Sequence, residues 1–223
     1  MSKVAVVLSG CGVYDGAEIH ESVITLLALD RAGAEVVIAA PSIEQAHVVN
    51  HATGDVASGE KRNVAVEAAR IARGAVTDLA RLKGDAIDAI IFPGGFGAAK
   101  NLCTYAFDGP GLKVNPEVER ITLEMVRSAK PIGTICIAPV MTAKILADNG
   151  FNVTVTIGND EGTAGHITGF GATHRACAVD EIVIDESTRV VSTPAYMLAG
   201  SIKEAAAGIE KLVAAVLQLC ARK

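Results

Sequence analysis

One of the five cysteines, Cys136, occupies a position at which a nucleophile would be expected. It follows an apolar run, Pro131–Ile135, that is typical of a buried strand, and it precedes a helical pattern that starts at Ala138. A residue on such a strand-to-helix turn has a strained backbone and presents its side chain at the end of the sheet. The helix N-terminus should favour the thiolate and lower the pKa of the thiol. Packing as a small buried hydrophobe is the alternative, because most free cysteines have that role.

Two glycines at the end of another predicted strand would complete such a site. Gly94 and Gly95 follow Ile87–Phe92, and glycine allows both a positive φ and a close approach of the backbone to a ligand. The amide of Gly95 beside that of Ile137 would form an oxyanion hole, with two donors aimed at developing negative charge. An ordinary tight turn after the strand is the alternative.

Glu18 supplies a carboxyl group near the start of the first predicted helix. The sequence Asp15-Gly-Ala-Glu18 fits a capping box, with Asp15 as the N-cap and Glu18 at the third helical position. The same carboxyl group could exchange protons with a thiol presented by a neighbouring strand. The two roles are compatible, because this end of the helix is expected to be exposed.

Neither a metal site nor a cofactor site is indicated. The histidines form no HExxH pattern, and no CxxC pair occurs. The spacing of Gly10, Gly12 and Gly16 departs from the dinucleotide fingerprint GxGxxG, and no acidic residue follows the second predicted strand. The sequence therefore predicts a protein without a nicotinamide cofactor.

The remaining histidines and cysteines are assigned mainly to packing and surface positions. Cys11 and Cys220 are expected to pack, and His20 is expected to face away from Glu18, two residues before it. His166 could reach the site only if its glycine-rich segment folds inward. His174 is expected to be a surface or partly buried residue.

The order of strand-like and helical segments predicts the scaffold that positions these residues. Short runs rich in Val and Ile, apolar on both faces, are typical of parallel strands covered by helices. The predicted strands are Val4–Leu8, Glu35–Ala40, Ile87–Phe92, Pro131–Ile135, Asn152–Thr156 and Val190–Thr193. The predicted helices are Ala17–Ala32, Asn63–Arg73, Glu117–Ala129, Ala138–Asn149 and Met197–Ala221. The alternation predicts one α/β domain over residues 1–223, with a doubly wound, mostly parallel sheet sandwiched by helices.

Two segments do not fit this alternation. Val179–Asp185 alternates apolar and polar residues and is expected to form a peripheral antiparallel strand or hairpin, whereas Gly158–Gly171 is rich in glycine and is expected to be a loop. Ligands of an open parallel sheet bind at the carboxyl ends of its strands. The turns that carry Cys136, Gly95 and Glu18 are therefore expected to meet at one place.

Composition excludes several partners and suggests a compartment. The chain has 223 residues, of which 50% are hydrophobic, and a formal net charge of -5, so it lacks the basic footprint of a nucleic-acid-binding protein. Its uncharged runs are shorter than the roughly 20 residues of a membrane-spanning helix. Dispersed cysteines and the absence of a signal-peptide pattern lead us to expect a cytoplasmic protein.

Several longer motifs resemble the ThiJ/PfpI superfamily, which is related to the class I glutamine amidotransferase domain. Within it, the chain is most similar to the ElbB-like family of amidotransferase-like isoprenoid biosynthesis proteins. The motifs that carry the resemblance run from the first strand to the last helix and include Val7–Glu21, Arg62–Val64, Ala68–Gly74, Phe92–Leu102, Cys136–Pro139 and Thr193–Leu198.

The resemblance implies a flavodoxin-like fold, a homodimer and a cofactor-independent glyoxalase acting on a small dicarbonyl. In that scheme the thiolate of Cys136 attacks an aldehyde carbon of glyoxal or methylglyoxal and forms a hemithioacetal. Glu18 then moves protons for an enediol-type rearrangement, the amides of Gly95 and Ile137 hold the oxyanion, and water releases glycolate or lactate.

Two departures from the superfamily pattern leave other functions open. Glutaminase relatives activate the cysteine with a late His-x-Glu pair, which this sequence lacks, so glutamine hydrolysis is disfavoured. Many members also place a histidine at the end of the next strand, where Val153–Ile157 has none. The alternatives are a redox-sensing or regulatory protein that uses Cys136, and a partner-dependent amidotransferase-like subunit linked to isoprenoid biosynthesis.

Overall fold

A seven-stranded sheet forms the centre of the molecule in the computed structural model, which describes residues 1–222. Its strands, in chain order, are β1 (Lys3–Val7), β2 (Glu35–Ala40), β3 (Thr77–Asp78), β4 (Ala89–Phe92), β5 (Ile132–Ile135), β8 (Val183–Asp185) and β9 (Val190–Thr193). Their spatial order is β3-β2-β1-β4-β5-β9-β8. All neighbouring pairs are parallel except β8 and β9, which are antiparallel.

Helices cover both faces of this sheet. They are α1 (Ile19–Arg31), α2 (Val64–Ala72), α3 (Phe96–Lys100), α4 (Tyr105–Asp108), α5 (Pro116–Arg127), α6 (Ala138–Asp148), α7 (Glu161–Gly169) and α8 (Ile202–Ala221). The flavodoxin-like sandwich predicted from the sequence is therefore confirmed. So is the antiparallel strand predicted within Val179–Asp185, although it is only three residues long.

Two hydrophobic cores, one on each face of the sheet, hold the layers together. Side chains of successive strand residues point to opposite faces, so Val4 and Val6 of β1 pack with α1 and α8, whereas Ala5 and Val7 pack with α5 and α6. These four residues are completely buried. Burial on both faces explains why the parallel strands are continuous Val- and Ile-rich runs.

The predicted strand Asn152–Thr156 lies outside the main sheet. Only Thr154–Val155, here β6, is extended, and it pairs with β7 (Thr173–His174) in a separate two-stranded sheet. The correct partner could not be identified from the sequence, because β7 is only two residues long.

The segment Gly158–Gly171, predicted to be a loop, contains helix α7. The carboxylate of Asp160 caps this helix by accepting a hydrogen bond of 2.7 Å from the amide of Thr163. Ile167 is completely buried against the core. A cap and one buried anchor thus override the low helix propensity of the glycines.

The last predicted helix begins later than expected. Residues Ala195–Met197 form a short 3₁₀ turn directly after β9, and α8 starts at Ile202 with Ser201 as its N-cap. This break places Tyr196 at the carboxyl end of the sheet. No helix within residues 1–222 is both long and apolar enough to cross a membrane.

Candidate functional site

Cys136 lies on the turn between β5 and α6, as predicted. Its φ of +62° is in the left-handed region, which costs roughly 1–2 kcal/mol for a residue with a side chain. The turn is held to the sheet because the Cys136 amide donates a 3.0 Å hydrogen bond to the carbonyl of Thr193 at the end of β9. Only 8% of Cys136 is exposed, so its thiol is reached through a cavity and not from open solvent.

The carboxyl group in contact with this thiol belongs to Glu21. Glu21 lies in the first turn of α1 and is completely buried. Its Oε2 accepts a 2.9 Å hydrogen bond from the amide of Gly94, and its Oε1 accepts one of 3.3 Å from the amide of Tyr196. Its carboxyl group lies beside the side chain of Cys136, close enough for each group to shift the pKa of the other. Glu21 was not among the site residues predicted from the sequence.

A signal for Glu21 was nevertheless present in the helical pattern. Ser22, Thr25 and Leu29 are buried on α1, and Glu21 is eight residues before Leu29 and four before Thr25, on the same side of the helix. A charged residue within a buried helical stripe is unusual unless it has a partner. Positions four and eight residues before Leu29 on the same side of α1 are Thr25 and Glu21, so the helical spacing leads to Glu21.

The buried pair of Glu21 and Cys136 has perturbed acidities. Burial, followed by the nearby carboxylate of Glu18, raises the pKa of Glu21 to about 7. Burial and the negative charge of Glu21 also raise the pKa of the Cys136 thiol well above its ordinary value, although the amides of Gly95 and Ile137 act in the opposite direction. The predicted lowering of the thiol pKa is therefore wrong, because desolvation outweighs the helix N-terminus.

Glu18 lines the same cavity, but its place in α1 differs from the prediction. Glu18 is itself the N-cap, and its Oε2 accepts a 2.7 Å hydrogen bond from the amide of Glu21. The predicted N-cap, Asp15, instead accepts a 2.7 Å hydrogen bond from the amide of Val49. The helix therefore starts three residues later than the capping-box pattern suggested, which is why Glu21 faces the thiol.

The two predicted oxyanion-hole residues lie on either side of the sulfur. The backbone amides of Gly95 and Ile137 are close enough to the side chain of Cys136 to lower the pKa of its thiol, and both residues line the same cavity. Gly95 has a φ of +90°, and a Cβ atom there would lie 2.4 Å from the backbone nitrogen of Glu18. Glycine is thus required at this position both by the backbone conformation and by the close approach of α1.

A cavity of about 300 Å³ opens above Cys136. Glu18 and Tyr196 lie on its wall with Gly95, and the other lining residues are mostly apolar: Val13, Phe96, Ala99, Tyr105, Ala106, Ile137 and Met197. The predicted site residues Cys136, Glu18, Gly95 and Ile137 therefore share one cavity at the carboxyl ends of β4, β5 and β9.

Two histidines are within hydrogen-bond distance of tyrosines that line the cavity. Nδ1 of His20 lies 2.8 Å from Oη of Tyr196, and Nδ1 of His166 lies 2.8 Å from Oη of Tyr105. The expectation that His20 faces away from Glu18 is wrong, since its Nδ1 lies 4.0 Å from Oε1 of Glu18. His166 is brought inward by α7, the helix that was predicted to be a loop.

The other candidate ligands and thiols lie outside the cavity. His174 accepts a 3.3 Å hydrogen bond from the amide of Ile157, and Cys220 packs at the edge of a core. Cys11 is half-buried, and burial raises the pKa of its thiol. Across residues 1–222, no three His, Cys, Asp or Glu side chains are grouped to hold a metal ion.

Comparison with known proteins yields one family and several full-length relatives. The model of the DJ-1/PfpI family matches residues 3–195. The human glutamine amidotransferase-like class 1 domain-containing protein 3, mitochondrial, is 49% identical to the chain, covering 98% of it and 83% of the human protein. The rat ES1 protein homolog, mitochondrial, is 48% identical, with 98% and 84% covered.

A solved structure has the same fold over nearly its whole length. It is the crystal structure of an isoprenoid biosynthesis protein with an amidotransferase-like domain from Ehrlichia chaffeensis, with a TM-score of 0.91 and 36% sequence identity. The alignment covers 98% of this chain and 99% of that one. The resemblance stated from the motifs is thereby confirmed.

The names of the relatives contradict the expectation of a cytoplasmic protein. Both the human and the rat relative are named mitochondrial proteins. The expectation depended on dispersed cysteines, which indicate a reducing environment but do not distinguish one such compartment from another.

Proposed function

The chain belongs to the DJ-1/PfpI family, and from that premise we propose that it is a cofactor-independent glyoxalase. The proposed reaction converts glyoxal to glycolate, or methylglyoxal to lactate, through a hemithioacetal on Cys136. The observation that carries the proposal is the buried carboxyl group of Glu21 beside the thiol of Cys136, which itself lines a small cavity. This pair supplies a nucleophile and a proton acceptor without any further group.

The first step forms a bond between the Cys136 sulfur and an aldehyde carbon. Because burial and Glu21 raise the pKa of the thiol, the sulfur loses its proton as it attacks. Glu21, whose pKa is about 7, is suited to accept that proton near neutral pH. The amides of Gly95 and Ile137 then hold the former carbonyl oxygen as negative charge develops on it.

The second step is an internal oxidation and reduction. Glu21 passes the thiol proton to the oxygen of the hemithioacetal and, ionised again, removes the proton from the carbon attached to sulfur, so that an enediol forms. Glu21 then returns this proton to the second carbon while the hydroxyl group on the first carbon loses its proton to water, so that the first carbon reaches the oxidation level of a thioester and the second that of an alcohol. Water hydrolyses the thioester, releases the hydroxy acid and restores the thiol, so water is the single co-reactant.

Glu18 has a supporting place in this scheme. Its carboxylate holds the amide of Glu21 at 2.7 Å, and its negative charge contributes to the raised pKa of Glu21. We therefore propose Glu21 for the proton transfers first expected of Glu18, and we propose that Glu18 tunes the acidity of Glu21.

The site geometry gives less support to the two alternative functions. A redox sensor needs an accessible thiol of low pKa, whereas Cys136 is 8% exposed and its pKa is raised. A glutaminase would pair the cysteine with an imidazole, whereas the ionisable side chain coupled to Cys136 is the carboxyl group of Glu21. The names of the relatives keep a partner-dependent amidotransferase-like subunit as the second candidate.

The test is direct detection of glycolate after incubation of the purified protein with glyoxal and without glutathione. We expect glycolate from the wild type and from Cys177→Ala, which removes a half-buried thiol outside the cavity. We expect none from Cys136→Ala or Glu21→Gln. Equal traces from the wild type and Cys136→Ala would refute the proposal, and ammonia release from glutamine in the presence of a partner would favour the second candidate.

A further inference from the structure

On the basis of the proposed glyoxalase reaction, we infer that Tyr196 and His20 form a proton relay between the substrate and solvent. In this relay the hydroxyl group of Tyr196 is a catalytic acid, and His20 is a positioning residue that restores its proton. The relay takes the place of the histidine that the sequence lacks beside Cys136.

The backbone around Tyr196 holds its ring beside the reacting groups. Ala195, directly before it, is completely buried and has a φ of +42°, a conformation that a residue with a side chain rarely adopts. This turn directs the amide of Tyr196 to Oε1 of Glu21. Tyr196 lines the cavity together with Cys136 and Glu18, so the backbone of Tyr196 contacts the proposed base while its side chain lies at the cavity wall.

His20 connects the phenol to water. Its Nδ1 lies 2.8 Å from Oη of Tyr196, a normal length for a hydrogen bond. The side chain of His20 is 48% exposed, so the imidazole ring is in contact with solvent. Oε1 of Glu18 lies 4.0 Å from the same Nδ1. With Nδ1 protonated, the imidazole donates to Oη, and the hydroxyl proton of Tyr196 is free to point into the cavity.

The proton balance of the relay is simple. The oxygen on the second substrate carbon gains the hydroxyl proton of Tyr196 as the enediol forms. Tyr196 regains a proton from Nδ1 of His20, and Nε2 of His20 takes one from water. Exchange of the ring protons with solvent then returns a proton to Nδ1 and restores the starting tautomer. One O–H bond forms on the substrate for each that breaks on Tyr196, and no external oxidant or reductant is needed.

Burial and nearby negative charges keep the hydroxyl group of Tyr196 protonated, which is the form that can donate a proton. Burial and the negative charges of Glu18 and Glu21 raise the pKa of the Tyr196 hydroxyl. A phenol with a raised pKa remains protonated at neutral pH and can donate to a substrate oxygen.

A second Tyr–His pair on the cavity wall provides a matched comparison. Tyr105 also lines the cavity, and its Oη lies at the same distance of 2.8 Å from a histidine nitrogen, Nδ1 of His166. However, the backbone hydrogen bond to Glu21 comes from Tyr196. Tyr105→Phe therefore measures the effect of removing one phenol from this cavity without disturbing the pair next to Glu21.

The experiment compares kcat and KM for glyoxal in the wild type, Tyr196→Phe, Tyr105→Phe, His20→Ala and the double variant of Tyr196 and His20. We expect Tyr196→Phe to lower kcat about 10²-fold, the lower end of what general acid–base catalysis contributes, with KM little changed and with a larger loss than in Tyr105→Phe. His20→Ala should also lose activity, and added imidazole should restore part of it because the position is open to solvent.

Three results would overturn the relay while leaving the proposed function intact. They are a kcat of Tyr196→Phe no lower than that of Tyr105→Phe, a lack of imidazole rescue in His20→Ala, and additive losses in the double variant. A merely structural role of His20 would not give rescue by imidazole. If the wild type itself forms no more glycolate than Cys136→Ala, the proposed function and the relay fail together.

Discussion

The carboxyl group of Glu21 and the thiol of Cys136 meet in a space that exists because residue 94 has no side chain. A Cβ atom on Gly94 would lie 2.5 Å from Cβ of Cys136 and 2.9 Å from Oε2 of Glu21. The amide of the same glycine donates to that Oε2 at 2.9 Å. Gly94 therefore both leaves room for the pair and orients its carboxyl group.

Gly94→Ala should damage the site through steric overlap. We expect a loss of about 1–3 kcal/mol in the free energy of unfolding, as is typical of overpacking, and a loss of glyoxalase activity larger than that of any variant outside the cavity. Urea denaturation and the glycolate assay measure the two effects.

Gly165→Ala is the matched control for that substitution. Gly165 lies inside α7, and a Cβ atom there would meet no atom within 4 Å. Alanine should stabilise the protein by roughly 0.5–1 kcal/mol, because glycine in a helix interior is unfavourable. Equal effects of the two alanines would contradict the close contact described for Gly94.

The pH dependence of stability should report the buried carboxyl of Glu21. Its pKa is raised from an ordinary value of 4.5 to about 7, so the folded protein binds this proton more tightly than the unfolded chain. The resulting stabilisation is fully present below pH 4.5 and is lost as the pH rises through 7, a change on the order of 3 kcal/mol. Urea unfolding of the wild type and Glu21→Gln at about pH 4.5 and about pH 8 measures it. A constant difference between the two proteins would contradict the assignment.

Alkylation should show that Cys136 is a protonated thiol in the resting protein. Because the thiolate is the reactive form and the pKa of Cys136 is raised, iodoacetamide should modify it more slowly at about pH 7 than it modifies free cysteine. Glu21→Gln removes a negative charge from beside the sulfur and should accelerate the reaction. Mass spectrometry of the Cys136 peptide over time gives both rates, and a wild-type rate above that of free cysteine would support the sensor function instead.

The central sheet and the Cys136 turn were predictable because their signals are local. β2 and β9 have the predicted bounds, since each contains a short run of β-branched residues, which is a local signal for a strand. The turn after β5 was recognisable in the same way, as a strand that runs directly into a helix.

Features that depend on tertiary contacts were not predictable. Helix α7 exists because Ile167 is buried and Asp160 caps its first turn, although its glycines favour a loop. Which glutamate faces the thiol depends on which residue caps α1. Asp15 does not cap it, because the carboxylate of Asp15 accepts a hydrogen bond from the amide of Val49, a residue distant in the sequence. The thiol pKa depended on burial, which no sequence pattern measures.

The expected homodimer can be tested by a substitution on the exposed face of α1. Ile19, Val23 and Leu27 are spaced four residues apart on this helix and are 42%, 48% and 42% exposed, an apolar stripe typical of a helix that packs against a partner. We propose that this stripe is the dimer contact, and Val23→Glu should then produce monomers in sedimentation equilibrium. Val66→Glu is the control, because Val66 on α2 is 63% exposed outside the stripe. A monomeric wild type, or dissociation by Val66→Glu alone, would refute this assignment.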